Sequence, residues 1–258
     1  MNGRVVYDLV MDIETVGADL TEEEWSYLLK RESEVAEEEK DKYREKVRKQ
    51  VAMWGLTGHV VSVAMGVVVR RGDRASLAKV KVMYLNDADG EKVERLLANG
   101  EGYDVSFIGY GVSDGIERAE KRMVEEVWHI LSKVQGRLIT YNGRRFDLPF
   151  LMLRSLVLDV PISRYHLKSR FDYNNHLDVM DVLSFHGLGR FSSLDFVCRR
   201  LGIPTPKVAM DGSKVEEYFT DGRYEDIATY NFYDVWATTV IYDRLLRIFG
   251  PMLEGGYR

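Results

Sequence analysis

The sequence predicts an α/β fold in which a mixed β-sheet is flanked by helices on both faces. The 258-residue chain is 45% hydrophobic, which is enough apolar material for one large or two small domains. Apolar runs typical of strands come first, and strand and helix patterns alternate after residue 87. Neither an internal repeat nor a linker interrupts this order. We therefore expect one domain over residues 1–258, with a helical insertion at about residues 18–56.

Three strands are predicted in the first third of the chain. Residues 4–13 form a nearly continuous apolar run, which is typical of a strand buried on both faces. Residues 60–69 and 78–85 are two further strands, separated by the turn signal Arg71-Gly72-Asp73. The aliphatic run at 60–69 ends at Arg70 after about ten residues, whereas roughly 20 are needed to cross a bilayer. No membrane span is expected.

A charged segment, residues 21–54, separates the first two strands. It contains no Gly or Pro, its apolar residues recur at steps of three and four, and it begins with a capping box from Thr21 to Glu24. These features predict helix. One long or two shorter amphipathic surface helices are the simpler interpretation. A lid or substrate-guiding arm, whose basic second part contacts phosphates, is the alternative.

The remaining elements alternate along the chain. We predict strands at 105–110 and 137–141, and helices at 90–98, 115–134, 146–158, 192–201 and 224–248. The glycine pairs at 100/102 and 109/111 are predicted to be turns, because neither is followed by the Lys-Ser/Thr of a phosphate-binding loop.

Composition excludes several classes of protein. The single cysteine, Cys198, rules out a disulfide framework and a cysteine-based zinc site. No cationic and apolar leader pattern opens the sequence, so we expect a cytoplasmic protein. With 36 Lys+Arg against 41 Asp+Glu, the net charge of −5 argues against coating nucleic acid by charge alone. This net charge does not exclude a protein that acts on nucleic acid through a metal ion bound by carboxylates.

Asp12 and Glu14 end the first predicted strand. Because side chains alternate along a strand, both carboxylates lie on one face, where they repel unless a cation or a proton lies between them. The D-x-E pattern arises by chance about once in a chain of this length. A solvated strand end is therefore the alternative to a metal site.

Two further motifs carry acids. Asp147 lies in N-G-x-x-F-D-x-P, in the first turn of a predicted helix; about 0.1 chance matches or fewer are expected for this string. The alternative role for Asp147 is a favourable helix N-terminal residue. Tyr230 and Asp234 are four apart, so they share one helix face, as they also would in an ordinary amphipathic helix.

Together the motifs supply four carboxylates and a phenol. These are oxygen ligands of the kind that Mg²⁺ or Mn²⁺ prefers, with no Cys or His cluster to select zinc. Two such ions about 4 Å apart can stabilise the attacking and leaving oxygens of a phosphoryl displacement. The predicted chemistry is phosphodiester hydrolysis.

The sequence resembles the 3′-to-5′ exonucleases of the ribonuclease H-like superfamily that use four acids and a motif-III tyrosine. It is most similar to stand-alone exonucleases related to the proofreading domain of family-B DNA polymerases. The likeness lies in DIET at 12–15, YNGRRFDLP at 141–149, HLDVMDVLSF at 176–185, SSLDFVCRRLGIP at 192–204, and residues 207–222 and 227–245. Two departures are the long charged segment 21–54 and the pair Asn231 and Phe232, where related proteins often have Cys and an acid.

The resemblance implies a ribonuclease H-like fold and a set of roles. Asp12, Glu14 and Asp234 would hold one Mg²⁺ or Mn²⁺ ion, and Asp147 would hold a second, which Asp12 bridges. Tyr230 would position the attacking water. Position 229 is Thr rather than His, which favours the tyrosine class. The residues implied to bind substrate are Thr15, Asn142, Arg145 and Phe146.

The implied substrate is the 3′ end of single-stranded DNA, from which 5′ mononucleotides are released. A DNA polymerase or a repair protein is a candidate partner, no membrane association is expected, and the sequence does not predict the oligomeric state. An RNA-trimming 3′-to-5′ exonuclease remains an alternative, because recognition of the 2′-hydroxyl is not visible in the sequence. A non-catalytic nucleic-acid-binding or polymerase-accessory module is the other alternative.

Other polar residues are given simpler roles. Asp178 and Asp181 are expected to cap a helix or pair with an Arg rather than bind metal. The five histidines, without metal-ligand spacing, are expected to be surface or hydrogen-bonded core residues. Arg145 is the foremost candidate for a phosphate contact, because it adjoins the start of the helix predicted at 146–158. The full set of candidates is Arg144, Arg145, Arg170, Arg190, Arg199, Arg200 and Lys207.

Overall fold

A computed structural model describes residues 5–204 and 212–254 of the chain. Lys207 therefore lies outside the described residues. The strands are β1 (Val5–Gly17), β2 (Gly58–Arg71), β3 (Arg74–Asn86), β4 (Gly90–Ala98), β5 (Glu101–Gly111), β6 (Leu138–Thr140) and β7 (His176–Asp178). The helices are α1 (Glu22–Leu28), α2 (Lys40–Val51), α3 (Ile116–Ser132), α4 (Asp147–Leu158), α5 (Val179–Leu183), α6 (Leu194–Leu201), α7 (Val215–Thr220) and α8 (Tyr224–Glu254).

All of these strands form one seven-stranded mixed sheet in the order β4-β5-β3-β2-β1-β6-β7. β1, β2 and β3 are antiparallel neighbours, and β4 pairs antiparallel with β5. β6 runs parallel to β1, and β7 runs parallel to β6. The carboxyl ends of β1, β6 and β7 therefore meet at one edge of the sheet, and the loops that follow them are neighbours.

Helices cover both faces of the sheet, as the sequence predicts. Val10 and Ala64 belong to the core beneath α8, which packs across β1, β2 and β3. Met11 and Val63, one residue away along each strand, belong to the opposite core beneath α3 and α4. Because alternate side chains face opposite layers, β1 and β2 need apolar residues at nearly every position.

The predicted helix at 90–98 is wrong, since these residues form β4. Asn99 and Gly100 both have a left-handed backbone, with φ of 51° and 81°, and connect β4 to β5 as a two-residue hairpin turn. Pairing with β5 overrides the helix-favouring composition of Glu-Lys-Val-Glu-Arg. The predicted turns at Gly102, Gly109 and Gly111 are also wrong, because these glycines lie within β5.

The charged segment between β1 and β2 consists of two short helices rather than one long one. α1 begins at the predicted capping box, in which Thr21 Oγ1 accepts from the Glu24 N–H at 3.3 Å and Glu24 Oε2 accepts from the Thr21 N–H at 2.7 Å. Two 3₁₀ turns connect α1 to α2. The helix α2 contacts β1, and Val47 and Val51 in its C-terminal part are buried.

Three elements were not anticipated: β7, α5 and α7. Each is six residues or shorter, too short for hydrophobic periodicity to identify it. α8 continues to Glu254, beyond the predicted end at residue 248. No helix within the described residues is long and apolar enough to cross a membrane.

Candidate active site

Asp12 and Glu14 lie on the face of β1 that α8 covers. They alternate with Met11 and Ile13, which are buried in the opposite core. Pairing between β1 and β2 shifts register between Glu14 and Thr15, so the strand bulges directly after the two acids. Bulges of this kind redirect side chains and often lie beside functional sites.

Asp234 on α8 completes a cluster with the two acids of β1. One carboxylate oxygen from each of Asp12, Glu14 and Asp234 lies within 4.8 Å of the others. The sequence-predicted spacing of four residues also holds, since Tyr230 hydrogen-bonds to Asp234 across one turn of α8. The structure thus brings the acids of residues 12–14 together with the Tyr230–Asp234 pair, which is more than 200 residues away in the chain.

Asp147 enters the site through the parallel pairing of β1 and β6. Leu9 pairs with Leu138 and Val10 with Ile139, so the loop that follows β6 begins beside Asp12. Only glycine fits at position 143, because a Cβ there would lie 2.5 Å from Thr140. After this tight turn α4 begins at Asp147, whose side chain is 2% exposed.

Burial and mutual repulsion dominate the electrostatics of the four carboxyl groups. Burial, and then the charges of Asp147, Asp234 and Glu14, raises the pKa of Asp12 well above its ordinary value. Burial and the same kind of repulsion raise the pKa of Glu14. Burial raises the pKa of Asp147 to about 8 and that of Asp234 to about 7. The protein thus places four carboxyl groups where water cannot screen their charges.

Asp147 has an oxygen atom without a partner. Its Oδ1 is buried and accepts no hydrogen bond from any described residue. An unpaired carboxylate oxygen at 2% exposure is costly unless a ligand completes it.

Tyr230 is half-buried beside the carboxylates. Burial raises the pKa of its phenol far above the ordinary value of about 10, and the charges of Asp234, Glu14 and Asp12 raise it further. The hydroxyl therefore keeps its proton at neutral pH. It can donate a hydrogen bond or orient water, but it cannot act as a base.

Asn231 is a site residue whose role the sequence analysis missed. Its side chain is fully buried, and its Nδ2 donates to Asp12 Oδ2 at 2.6 Å. Its Oδ1 accepts from Ser62 Oγ at 3.0 Å. The signal in the sequence was the departure at this position, because an Asn next to Tyr230 can both donate and accept hydrogen bonds in the site, where related proteins often have Cys.

The predicted substrate-binding residues lie around the cluster, but not all of them are available. Thr15 is buried, and its hydroxyl donates to the Ala52 carbonyl at 2.7 Å, which ties α2 to the end of β1. Asn142 and Phe146 are half-buried in the loop before α4. Arg145 is exposed, with its guanidinium 3.8 Å from the centroid of the Phe191 ring. Their roles in substrate binding stay predictions.

Asp178 caps a helix, as predicted, and it also has a second role. As the N-cap of α5 it accepts from the backbone N–H groups of Met180 and Asp181. It also accepts from the N–H of Asn142 at 3.0 Å and of Arg144 at 2.9 Å. One buried carboxylate thus holds the backbone of the loop that leads to Asp147.

Most of the other side chains predicted to contact phosphates already have partners within the protein. Arg170 pairs with Asp181, as predicted, and Arg199 pairs with Asp195. Arg144 is half-buried and donates to the carbonyl of His176 at 3.3 Å. Among the described residues, Arg190 and Arg200 make no ion pair and stay candidates alongside Arg145.

The histidines have structural roles, with one exception. His59 contacts Glu120 at 2.7 Å in a buried network, and His186 contacts Asp181 at 2.9 Å. His176 is bonded through one ring nitrogen to Thr140. His166 is buried with neither ring nitrogen paired within the described residues, so the expectation of a satisfied core residue is wrong for it.

The comparison with protein families gives one match over most of the chain. A family described as "Predicted 3'-5' exonuclease related to the exonuclease domain of PolB" matches residues 96–258. The match contains Asp147, Tyr230 and Asp234, whereas Asp12 and Glu14 precede it. No curated protein matches the chain.

Solved structures share the fold. The family B DNA polymerase of the hyperthermophilic archaeon Pyrobaculum calidifontis aligns with 93% of this chain and 24% of its own, at 17% identity and a TM-score of 0.53. Exonuclease I in complex with the inhibitor BCBP aligns with 96% of this chain and 43% of its own, at 11% identity and a TM-score of 0.51. E. coli exonuclease I in complex with a dT13 oligonucleotide aligns with 95% and 43%, at 12% identity and a TM-score of 0.48.

These alignments confirm the predicted ribonuclease H-like α/β fold. At such low identities the alignments show the fold alone. The chain also spans less than half the length of each of these proteins.

Proposed function

The chain belongs to the family of predicted 3′-5′ exonucleases related to the exonuclease domain of PolB, and from this membership we propose that it is a metal-dependent 3′-to-5′ exonuclease. It hydrolyses phosphodiester bonds at the 3′ end of single-stranded DNA and releases 5′ mononucleotides. All described strands belong to one sheet, which supports the proposal of a single domain over residues 1–258. A polymerase or repair partner stays a prediction of the family resemblance.

The charge balance of the carboxylate cluster carries the proposal. Burial raises the pKa of Asp12, Glu14, Asp147 and Asp234, and the charge of Asp234 raises those of the other three further. No Lys, Arg or His among the described residues forms an ion pair with any of these four acids. Buried carboxylates without a partner are unstable as anions. Divalent cations would supply the missing positive charge.

The donor set fits Mg²⁺ or Mn²⁺. The cluster consists of carboxylate oxygens, which these ions prefer, and includes no His or Cys. Asp12, Glu14 and Asp234 would hold one ion, while Asp147, with its unpaired Oδ1, would hold a second together with Asp12. When bound, two such ions stabilise both the attacking and the leaving oxygen of an in-line displacement.

The other residues of the site position the reactants. Because the Tyr230 phenol keeps its proton, it would orient the attacking water by a hydrogen bond. Asn142 and Phe146 lie in the loop before Asp147, where an amide and a ring can hold the terminal nucleotide. Asn231 holds the Asp12 carboxylate in place through its hydrogen bond to Oδ2.

The test is a digestion of three substrates labelled at the 5′ end: single-stranded DNA, duplex DNA and single-stranded RNA, each with Mn²⁺ or with EDTA. The wild-type protein should produce a ladder of 3′-shortened DNA that requires metal. Asp12→Ala and Asp234→Ala should abolish the ladder. Asp73→Ala removes an exposed acid in the β2–β3 turn and should leave the ladder unchanged.

The outcomes separate the alternatives. Faster shortening of RNA than of DNA would favour the exoribonuclease instead. Binding of DNA without shortening of any substrate by the wild-type protein would favour the non-catalytic module. A ladder that persists in Asp234→Ala would contradict the assignment of the metal ligands.

A further inference from the structure

An exposed aromatic and cationic surface lies beside the candidate active site. It consists of Arg145, Phe185, Leu188, Arg190 and Phe191, and we call it the Phe191 surface. Phe185 is 57% exposed, Leu188 93% and Phe191 38%. Large apolar side chains grouped on a surface in this way often mark an interaction site.

The Phe191 surface is continuous with residues 141–146, the loop between β6 and Asp147, which we call the motif-II loop. The Arg145 guanidinium lies 3.8 Å from the centroid of the Phe191 ring, and Arg145 is two residues before Asp147. A Cβ built on Gly187 would lie 3.3 Å from Phe191 and 3.7 Å from Arg145, so the backbone of residue 187 passes beneath both side chains. The Phe191 surface therefore adjoins the loop that leads to Asp147.

Hydrogen bonds hold the backbone beneath the exposed side chains. Phe185, His186 and Gly187 have consecutive left-handed conformations, with φ of 50°, 59° and 89°. The His186 ring, which contacts Asp181 at 2.9 Å and the Tyr173 hydroxyl at 2.6 Å, anchors this turn. The exposed rings are thus presented by a fixed backbone, which lowers the entropic cost of binding.

The far end of the segment is also fixed. The Tyr141 hydroxyl, at the start of the motif-II loop, donates to the Ser192 carbonyl at 2.6 Å. The Phe191 surface and the motif-II loop are therefore joined at both Tyr141 and Arg145.

The surface offers two kinds of contact. Its rings can stack on bases, and Arg145 and Arg190 form no ion pair with an acid among the described residues, so both guanidinium groups are available to phosphates. Aromatic platforms beside unpaired cations suit a single strand, whose bases expose their faces, and do not suit a duplex, whose bases are already stacked.

We propose that the Phe191 surface binds the nucleotides that precede the 3′-terminal nucleotide of a single strand. This inference rests on the proposed exonuclease function and extends it, because it assigns the selection of single strands to a surface outside the cleavage site. The rings of Phe185 and Phe191 stack on bases. Arg145 and Arg190 contact the phosphates between them.

The experiment compares a short substrate with a long one in the same variant. The p-nitrophenyl ester of thymidine 5′-monophosphate reaches only the cleavage site, whereas a 12-nucleotide single strand also covers the Phe191 surface. For the Phe185→Ala and Phe191→Ala variants, KM for the 12-mer, divided by KM for the ester, should rise about tenfold over the wild-type ratio. Phe191→Trp keeps an aromatic ring and should restore the wild-type ratio.

Matched controls test whether the location matters. Tyr7→Ala removes a ring that is 60% exposed at the opposite end of β1, and Arg71→Ala removes an exposed cation at the end of β2. Both should leave the ratio unchanged. Arg190→Ala should lower the slope of log KM for the 12-mer against log salt by about 0.7.

The result separates this inference from the function on which it depends. If the wild-type protein cleaves both substrates and the ratio is unchanged in Phe185→Ala and Phe191→Ala, the surface does not bind the strand. If the ratio changes equally for a 12-base-pair duplex, the assigned selection of single strands is overturned. If the wild-type protein cleaves neither substrate with Mn²⁺ present, the proposed function itself fails.

Discussion

Asn231 Nδ2 donates a hydrogen bond of 2.6 Å to Asp12 Oδ2, and this contact sets the orientation of the amide. A carboxylate that binds a metal ion is ionised and only accepts, so in the metal-bound site the NH₂ group faces Asp12. The amide oxygen then faces Ser62 Oγ at 3.0 Å. These two hydrogen bonds thus link β2, α8 and β1 at the point where the three acids converge.

Replacing Asn231 with leucine, which has a similar volume, should weaken metal binding without unfolding the protein. A hydrogen bond to a charged group contributes about 1.5–3 kcal/mol, and residues that orient a ligand typically change metal affinity by about 10–100-fold. Isothermal titration with Mn²⁺ should show this loss, and kcat should fall as well. Ser62→Ala removes only the hydrogen bond to the Asn231 oxygen, so its effect on Mn²⁺ affinity should be smaller. Equal Mn²⁺ affinity in Asn231→Leu and the wild type would show that the contact is only structural.

Neutralising one acid of the cluster should have opposite effects on the metal-free and the metal-bound protein. Repulsion within the buried cluster destabilises the metal-free fold, and Asp234→Asn removes part of it. Thermal unfolding in EDTA should therefore occur roughly 2–4 °C higher in the variant, the shift expected for about 1 kcal/mol in a chain of this size.

Addition of Mn²⁺ should reverse that order. A ligand at 100 times its dissociation constant stabilises the folded state by about 2.7 kcal/mol, so the wild-type Tm should rise with Mn²⁺ while that of Asp234→Asn should barely change. Asp73→Asn, in an exposed turn, should behave like the wild type in both buffers. A variant that is less stable in EDTA and keeps the full Mn²⁺ shift would contradict the metal assignment.

Tyr230→Phe should separate catalysis from metal binding. The ring packs against the apolar core beneath α3 and α4 and is retained, while the hydroxyl that bonds to Asp234 is lost. We expect kcat to fall by about 100-fold, the low end of what a positioned hydrogen-bonding group contributes, with KM little changed. Because the role proposed for the hydroxyl is to orient water, the Mn²⁺ affinity of this variant should fall less than that of Asn231→Leu. A parallel loss of Mn²⁺ binding would mean that the hydroxyl holds the carboxylate rather than the water.

Local chemistry made much of the site predictable from the sequence. Period-two alternation along β1 predicted one face for Asp12 and Glu14, and helical spacing predicted one face for Tyr230 and Asp234. Their convergence depends on β1 lying beneath α8, which no local pattern specifies. The resemblance to a family supplied that step.

Other features could not be predicted because they depend on tertiary pairing. Residues 90–98 have a helical composition, and only the partner strand β5 makes them a strand, although Asn99-Gly100 was a visible hairpin signal. Asp178 was correctly predicted as a cap. Its bonds to the backbone of Asn142 and Arg144 exist because β7 lies beside β6, and this pairing involves only three residues.

His166 should make the stability of the protein depend on pH in the weakly acidic range. Its imidazole is 2% exposed, with neither nitrogen bonded to a described residue. Burial, and then the positive charge of Arg164, lowers its pKa to about 4, whereas the unfolded value is about 6.5. Because the unfolded chain binds the proton more tightly, stability is complete above pH 6.5 and is lost as the pH falls from 6.5 towards 4.

The expected loss at pH 4 from His166 is about 3 kcal/mol, at about 1.4 kcal/mol for each pKa unit. The buried His176, whose pKa is also lowered by burial and by Arg144, adds a loss of the same sign. Urea unfolding at pH 7.5, 6.5, 5.5 and 4.5 should therefore show a steeper decline for the wild type than for His166→Phe, which cannot take up the proton. His129→Phe removes an exposed imidazole and should keep the wild-type slope. Equal slopes for His166→Phe and the wild type would mean that His166 already binds its proton in the folded protein.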